Sequence, residues 1–334
     1  MNFYSPIIDF RKKQVKKCKK LLETQKNLIY NEVYIAGICD FLKEVLLQMV
    51  GDLHCHTKLS DSSMGIDDLI LLAQKRGLTT IAVTDRDCQA GNTRAKIIGE
   101  RKGINVIPGV ELSCYDSKRD AYAEIICYLA DSPDRLEGLC HRNIATRKRA
   151  SQMMTLKVAR QYPISPDLVT KCATGSTAVF ESHIMHALAE CGFTDKIYGE
   201  LYDSLFSRES ENNVLVTAKY PEPVEILEAI HEAGGIAVLA HPGSRDSFDL
   251  LDELIEAGLD GVEVWHPENT EEQQAALLKI AKKHGLLTVG GTEFKGMYSK
   301  NPLCVGDIGA PEASIKALLG YKTKMKKKKA ASAK

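Results

Sequence analysis

From Gly51 onward the chain alternates short β-rich runs with helical stretches, and every run leads into a histidine or a carboxylate. Seven runs read as strands: 52–54, 80–84, 105–110, 123–129, 236–240, 261–265 and 286–290. Helical text such as 67–76 and 270–284 separates most of them. This predicts parallel strands joined by crossover helices, hence an α/β barrel or doubly wound sheet. The stretch 131–221 is too long for one crossover and holds helical text without a convincing strand, so it reads as a helical insertion. The expected organisation is a basic helical lead-in at 1–50, a barrel from 51–130 and 222–320, the insertion between them, and a disordered Lys-rich tail at 321–334.

With 334 residues, 44% apolar and 26% charged, the chain has enough core for one large domain or two smaller ones. The longest apolar stretch, 33–50, is broken by Asp40, Lys43 and Glu44 and predicts an amphipathic helix, not a membrane span. No leader pattern precedes it, and none of the ten cysteines forms a Cys-x-x-Cys pair. The expectation is a cytoplasmic protein with buried thiols. The zero net charge hides an asymmetry. Residues 1–20 carry +6 and 321–334 carry +7, which leaves 21–320 at −13. Such a body is a poor general nucleic-acid surface, so an anionic ligand needs local cations or bound metal.

In parallel α/β architectures the working residues gather where strands end. Here those ends supply His54 and His56, Asp85, Glu111, Glu124, His241, His266 and Glu293. Histidines and carboxylates from separate strands on one rim are what a multinuclear metal site requires, because a carboxylate can bridge two ions. Positions i and i+2 of a strand share a side, so His54 and His56 can reach one ion while Cys55 faces the core.

The segments 52–61, Thr84-Asp85, Gly109-Val-Glu111, His241-Pro-Gly243, 260–267 and 290–296 resemble, in order, the motifs of the PHP (polymerase and histidinol phosphatase) superfamily. The similarity is to its branch with a helical insertion, which includes 3′,5′-bisphosphate nucleotide phosphatases and exonucleases acting on RNA 5′ ends. It implies a distorted seven-stranded (β/α)7 barrel, up to three metal ions, and metal-dependent hydrolysis of a phosphate ester.

Carried over by residue, the resemblance assigns His54, His56, Glu111 and Glu293 to a first ion, Glu293 standing where the family has Asp. Glu111 then bridges to a second ion that also takes His241 and Glu124, the latter in place of a family His. At the third position Asp61 remains, but Arg86 and Lys295 replace two histidines. A guanidinium and an ammonium cannot ligate a cation, yet together they supply about the charge of a divalent ion. The expectation is therefore two ions, Mn²⁺ or Zn²⁺ with Fe²⁺ as a further choice, and an Arg86/Lys295 pair flanking Asp61.

Of the remaining residues, His183 is expected on the substrate side and Arg245 on a substrate phosphate. Asp85 is expected to orient a ligand or hold Arg86, and His266 to support a ligand. Glu181 stands where the family carries a phosphate-binding Arg. The expected partner is a phosphorylated small molecule, a nucleotide or an RNA 5′ end, with no membrane. The competing reading is a chain that keeps the barrel and binds such a ligand without turnover.

Overall fold

The computed structural model describes residues 49–244 and 247–332. The predicted lead-in through residue 48, Arg245 and the last two residues of the tail lie outside the described residues. Eight strands form one sheet: β1 (Met49–Cys55), β2 (Thr80–Val83), β3 (Asn105–Asp116), β4 (Ala121–Tyr128), β5 (Ile236–Leu239), β6 (Gly261–Trp265), β7 (Leu287–Gly290) and the short β8 (Ala310–Pro311). Their order is β7-β6-β5-β4-β3-β2-β1-β8.

Strands β1 to β3 pair in parallel, as do β5 to β7. Strand β4 is antiparallel to both neighbours, contrary to the all-parallel expectation. The cause is local. β3 runs on to Asp116, so only four residues separate it from β4, and a parallel crossover needs a dozen or more. The hairpin brings the N-terminal half of β4, with Glu124 opposite Ser113, to the rim where the parallel strands end.

Beyond β7 the chain returns to β1. Phe294 bridges Cys55 in parallel, and its carbonyl accepts the His56 N–H at 3.0 Å, so the sheet is a nearly closed barrel. Gly291 sits at the seam, where a Cβ would stand 2.4 Å from the His54 backbone nitrogen. Only glycine allows that approach. The buried Asp52 reinforces the seam by accepting the Thr292 N–H at 3.0 Å and the Gly306 N–H at 2.9 Å.

Helices α1 (Ile66–Lys75) and α2 (Asn92–Lys102) cover β1 to β3. Helices α3 (Glu137–Gln161), α4 (Pro166–Cys172), α5 (Glu181–Glu190) and α6 (Glu200–Phe206) lie between β4 and β5. They have their own core, which includes Met154, Val158, Ile184, Leu188, Leu205 and Val214. Helices α7 (Pro223–Glu232), α8 (Phe248–Glu256) and α9 (Glu271–His284) return the chain to the barrel, followed by α10 (Glu312–Ser332). Pro223 opens α7, and a Thr270/Gln273 capping box opens α9, as their sequences favour.

The Lys-rich segment is helical through Ser332, which corrects the expectation of a disordered tail. Ile315 and Leu318 anchor α10 among Leu53, Ile107, Val238 and Val289, and Tyr321 donates to Asp260 at 2.7 Å. A nucleated helix propagates through Lys and Ala at little cost. Among the described residues the eight cysteines are free thiols, and no helix is long and apolar enough to cross a membrane.

Candidate metal centre

The site is built where β1 ends. A bulge between Asp52 and Cys55 shifts the register, which is a common way to re-aim side chains beside a site. The His54 ring turns its Nδ1 to Glu263, 3.1 and 3.2 Å from the two carboxylate oxygens. The His56 ring turns its Nδ1 to Asp61 at 2.6 Å. Burial raises the pKa of both carboxyls. For Glu263 the neighbouring His54, His266 and His241 outweigh burial and lower it. For Asp61, Lys295, His56 and Arg86 take it well below the usual range.

Both carboxylates are thus acceptors, so each ring carries a proton on Nδ1 and turns Nε2 toward the shared centre. The two Nε2 atoms face each other at 3.1 Å, and each lies 3.4 Å from an oxygen of Glu111. Carboxylate–imidazole pairs of this kind are the usual support of metal-ligating histidines.

Glu111 comes from the middle of β3, His241 from the end of β5 and Glu293 from just past β7. His241 Nε2 lies 3.1 Å from Glu111 and 3.9 Å from Glu293. Its backbone N–H donates to Glu263 at 2.9 Å, while its Nδ1 is buried without a hydrogen-bond partner among the described residues. His266 Nδ1 accepts the Glu268 N–H at 3.2 Å, which leaves Nε2 as the protonated nitrogen, 3.5 Å from Glu293. His241 and Glu293 have φ values of +22° and +49°. Such strain in non-glycine residues persists only where the surroundings over-determine it, commonly at working sites.

Two overlapping sets of ligand atoms lie within 4.8 Å of one another: His54, Glu111, His241 and Glu293, and His54, His241, Glu263 and His266. His56, Glu124 and Asp61 belong to neither set. Arg86 takes up Glu124 instead, with Nη1 at 3.0 Å from both Glu124 and Glu111 and Nη2 at 3.0 Å from Glu293. Its Nε is 3.5 Å from Asp61, and Lys295 Nζ is 3.3 Å from Asp61 and 2.7 Å from Glu293. Burial opposes the charge on Arg86, but four carboxylates outweigh it and hold the guanidinium well above its ordinary pKa.

The arrangement fits divalent cations. Two imidazole Nε2 atoms and a carboxylate directed at one point call for positive charge among them, a proton or a cation. Burial also opposes protonation of His54, yet Glu263 and Glu111 drive its pKa well above the ordinary value. Four carboxylates, Asp61, Glu111, Glu124 and Glu293, converge on two fixed cations, Arg86 and Lys295, and a fifth, Glu263, lies behind His54. Three negative charges remain in excess.

Asp85 does not touch Arg86; it reaches the predicted ligand His56 through Ser60, whose Oγ lies 3.3 Å from His56 Nδ1. Asp85 accepts the Thr57 N–H, the Thr57 hydroxyl and the Ser60 hydroxyl at 2.6–2.7 Å and so shapes the loop that carries Asp61. Above the rim, the barrel and helices α3, α5 and α6 line a cavity of about 380 Å³. Asp61, Arg86, Glu124, His241, His266, Glu293 and Lys295 line its floor.

His183 is not among the lining residues. It is buried edge-on to Tyr298 at 5.2 Å and to Phe180 at 5.8 Å, and its Nδ1 accepts the Phe180 N–H at 3.1 Å. These contacts are those of a helix cap, fixing the first turn of α5.

Two features escaped the sequence reading. Glu263 lies between Val262 and Val264, which pack into the barrel's outer core, so the period of two turns its carboxylate inward. That isolated charge in a buried strand was the available signal. Arg147 of α3 reaches Asp87 at 3.2 Å and Ser113 Oγ at 2.7 Å. Nothing local announced it, because its partners are 34 and 60 residues away.

Residues 52–165 match the PHP domain family. The chain is 32% identical over 257 residues to the phosphoribosyl 1,2-cyclic phosphate 1,2-diphosphodiesterase of Eggerthella lenta, covering 76% of this chain and 97% of that protein. It is 25% identical over 248 residues to the 3′,5′-nucleoside bisphosphate phosphatase of Chromobacterium violaceum, covering 73% and 86%. Among solved structures, a Bifidobacterium adolescentis protein assigned as a metal-dependent phosphoesterase superposes with a TM-score of 0.72 at 29% identity, covering 80% and 95%.

Proposed function

The chain belongs to the PHP family of metal-dependent phosphoesterases, and on that premise we propose that it hydrolyses a phosphate ester of a ribose phosphate or nucleotide with two divalent ions. The observation that carries this reading is the pair of His54 and His56 Nε2 atoms against Glu111, grouped with His241 and Glu293, which line the floor of the cavity. His54, Glu111, His241 and Glu293 bring their ligand atoms within 4.8 Å of one another, and His56 and Glu124 complete the proposed ligand set. Mn²⁺ is the proposed metal, since three of these six ligands are carboxylates. Bound divalent ions supply Lewis-acid polarisation of the phosphoryl oxygens and neutralise the excess negative charge.

The chain's own groups do the rest. Arg86 and Lys295 hold Asp61 and Glu293 ionised and keep the floor attractive to an anionic ester. His266 turns its Nε2 toward Glu293, 3.5 Å away. In the net reaction water adds to phosphorus, and the ester oxygen leaves as an alcohol carrying one of the water protons. A cavity of about 380 Å³ lies near the lower end of small-molecule sites, which favours a sugar phosphate or a single nucleotide over a polymer.

One observation favours a second reading, binding without turnover: the Arg86 guanidinium spans Glu111, Glu124 and Glu293. One experiment separates the two. Protein loaded with Mn²⁺ is assayed for metal content and for phosphate release from ribose and nucleotide phosphates. Two bound ions with turnover that disappears in His54→Ala support hydrolysis. A loaded protein that binds these esters and releases no phosphate establishes the second reading.

A further inference from the structure

Among the described residues, five cations line the cavity above the metal centre, and each is already ion-paired. Arg86 and Lys295 belong to the metal centre. Arg147 pairs with Asp87 at 3.2 Å, Arg208 with Asp120 at 2.9 Å and Lys300 with Glu268 at 2.8 Å. Among the lining carboxylates, Glu181 differs from the rest. It opens α5, is half-buried, and has no hydrogen bond or ion pair with any described residue. Beside it Ser182 also lines the cavity, 4% exposed, with an Oγ that has no hydrogen-bond partner among the described residues. The His183 cap on Phe180 fixes the turn that carries both.

We propose that Glu181 and Ser182 form a hydroxyl-reading subsite, which selects a ribose phosphate by its free hydroxyls and excludes a second phosphate at that position. The inference rests on the phosphoesterase reading for the reaction but not for the subsite. An ionised carboxylate accepts hydrogen bonds from hydroxyl groups, as acidic residues do on ribose in dinucleotide sites. A buried serine hydroxyl can donate or accept beside it. A phosphate placed there would meet like charge, with none of the five described lining cations free to answer it. Tyr122, Tyr198 and Tyr220 also line the cavity and lie close enough to Glu181 for its charge to help raise their phenol pKa values, after burial. Their rings suit the C–H face of a sugar.

The test titrates ribose 5-phosphate, 2-deoxyribose 5-phosphate and adenosine 3′,5′-bisphosphate calorimetrically into Mn²⁺-loaded wild type, E181Q and E181R, with melting curves to verify folding. A hydrogen bond to a charged group is strong enough for about a tenfold preference. Wild type should bind ribose 5-phosphate about tenfold more tightly than the deoxy sugar, and E181Q should bring that ratio near one. E181R should tighten the bisphosphate at least tenfold. The inference is overturned if wild type fails to bind ribose 5-phosphate, if its ratio lies within twofold of one, or if E181R leaves the bisphosphate unchanged. Wild type that shows the ribose preference yet hydrolyses no phosphate ester would sink the phosphoesterase reading and leave the subsite standing.

Discussion

The Nε2 atoms of His54 and His56 stand 3.1 Å apart, each ring turned to that position by a carboxylate behind it, Glu263 for His54 and Asp61 for His56. The rings are aimed before any ion arrives. Glu263→Gln should therefore weaken divalent-metal affinity by about 10- to 100-fold, because an amide can donate to His54 Nδ1 and favour the wrong tautomer. Metal titration followed by elemental analysis measures this, and an affinity unchanged within twofold would refute the orienting role.

Arg86 pairs with four carboxylates at once, three of them buried. Arg86→Met should cost about 3–5 kcal/mol of stability in chelator, the penalty for stranding buried charge, and Mn²⁺ should recover much of it. Denaturant melts with and without Mn²⁺ test this. The double change Arg86→His with Lys295→His should add a third bound ion beside Asp61. A metal count that stays at the wild-type value would rule out the charge-replacement account.

Burial lowers the His183 pKa from 6.5 to about 4. The unfolded chain therefore takes up this proton first as pH falls. The contribution to stability is intact above pH 6.5 and is lost progressively down to about pH 4, about 3 kcal/mol in all. His183→Gln should flatten that part of the stability profile. Parallel curves for variant and wild type between pH 7 and 4 would count against a neutral buried imidazole.

Gly291→Ala would place a methyl 2.4 Å from the His54 nitrogen and 2.5 Å from its Cβ. The seam must open or His54 must move. Loss of metal affinity together with a lowered Tm is expected. Retention of both would show that the seam is more compliant than its spacing indicates.

Much of this site could be read in the chain itself, because its signals are local. Alternation of runs gave the strands and helices, and a two-residue period put His54 and His56 on one side. The polar strand ends marked the rim. The direction of β4 was lost because β3 continues six residues past the expected end, turning an apparent crossover into a hairpin. Tertiary structure alone decided which charges meet. Arg86 lies 38 residues from Glu124 and 207 from Glu293, and Glu263 lies 209 from His54. No local propensity encodes such pairs, since a charge finds its partner only after barrel closure has excluded the water that would otherwise have screened it.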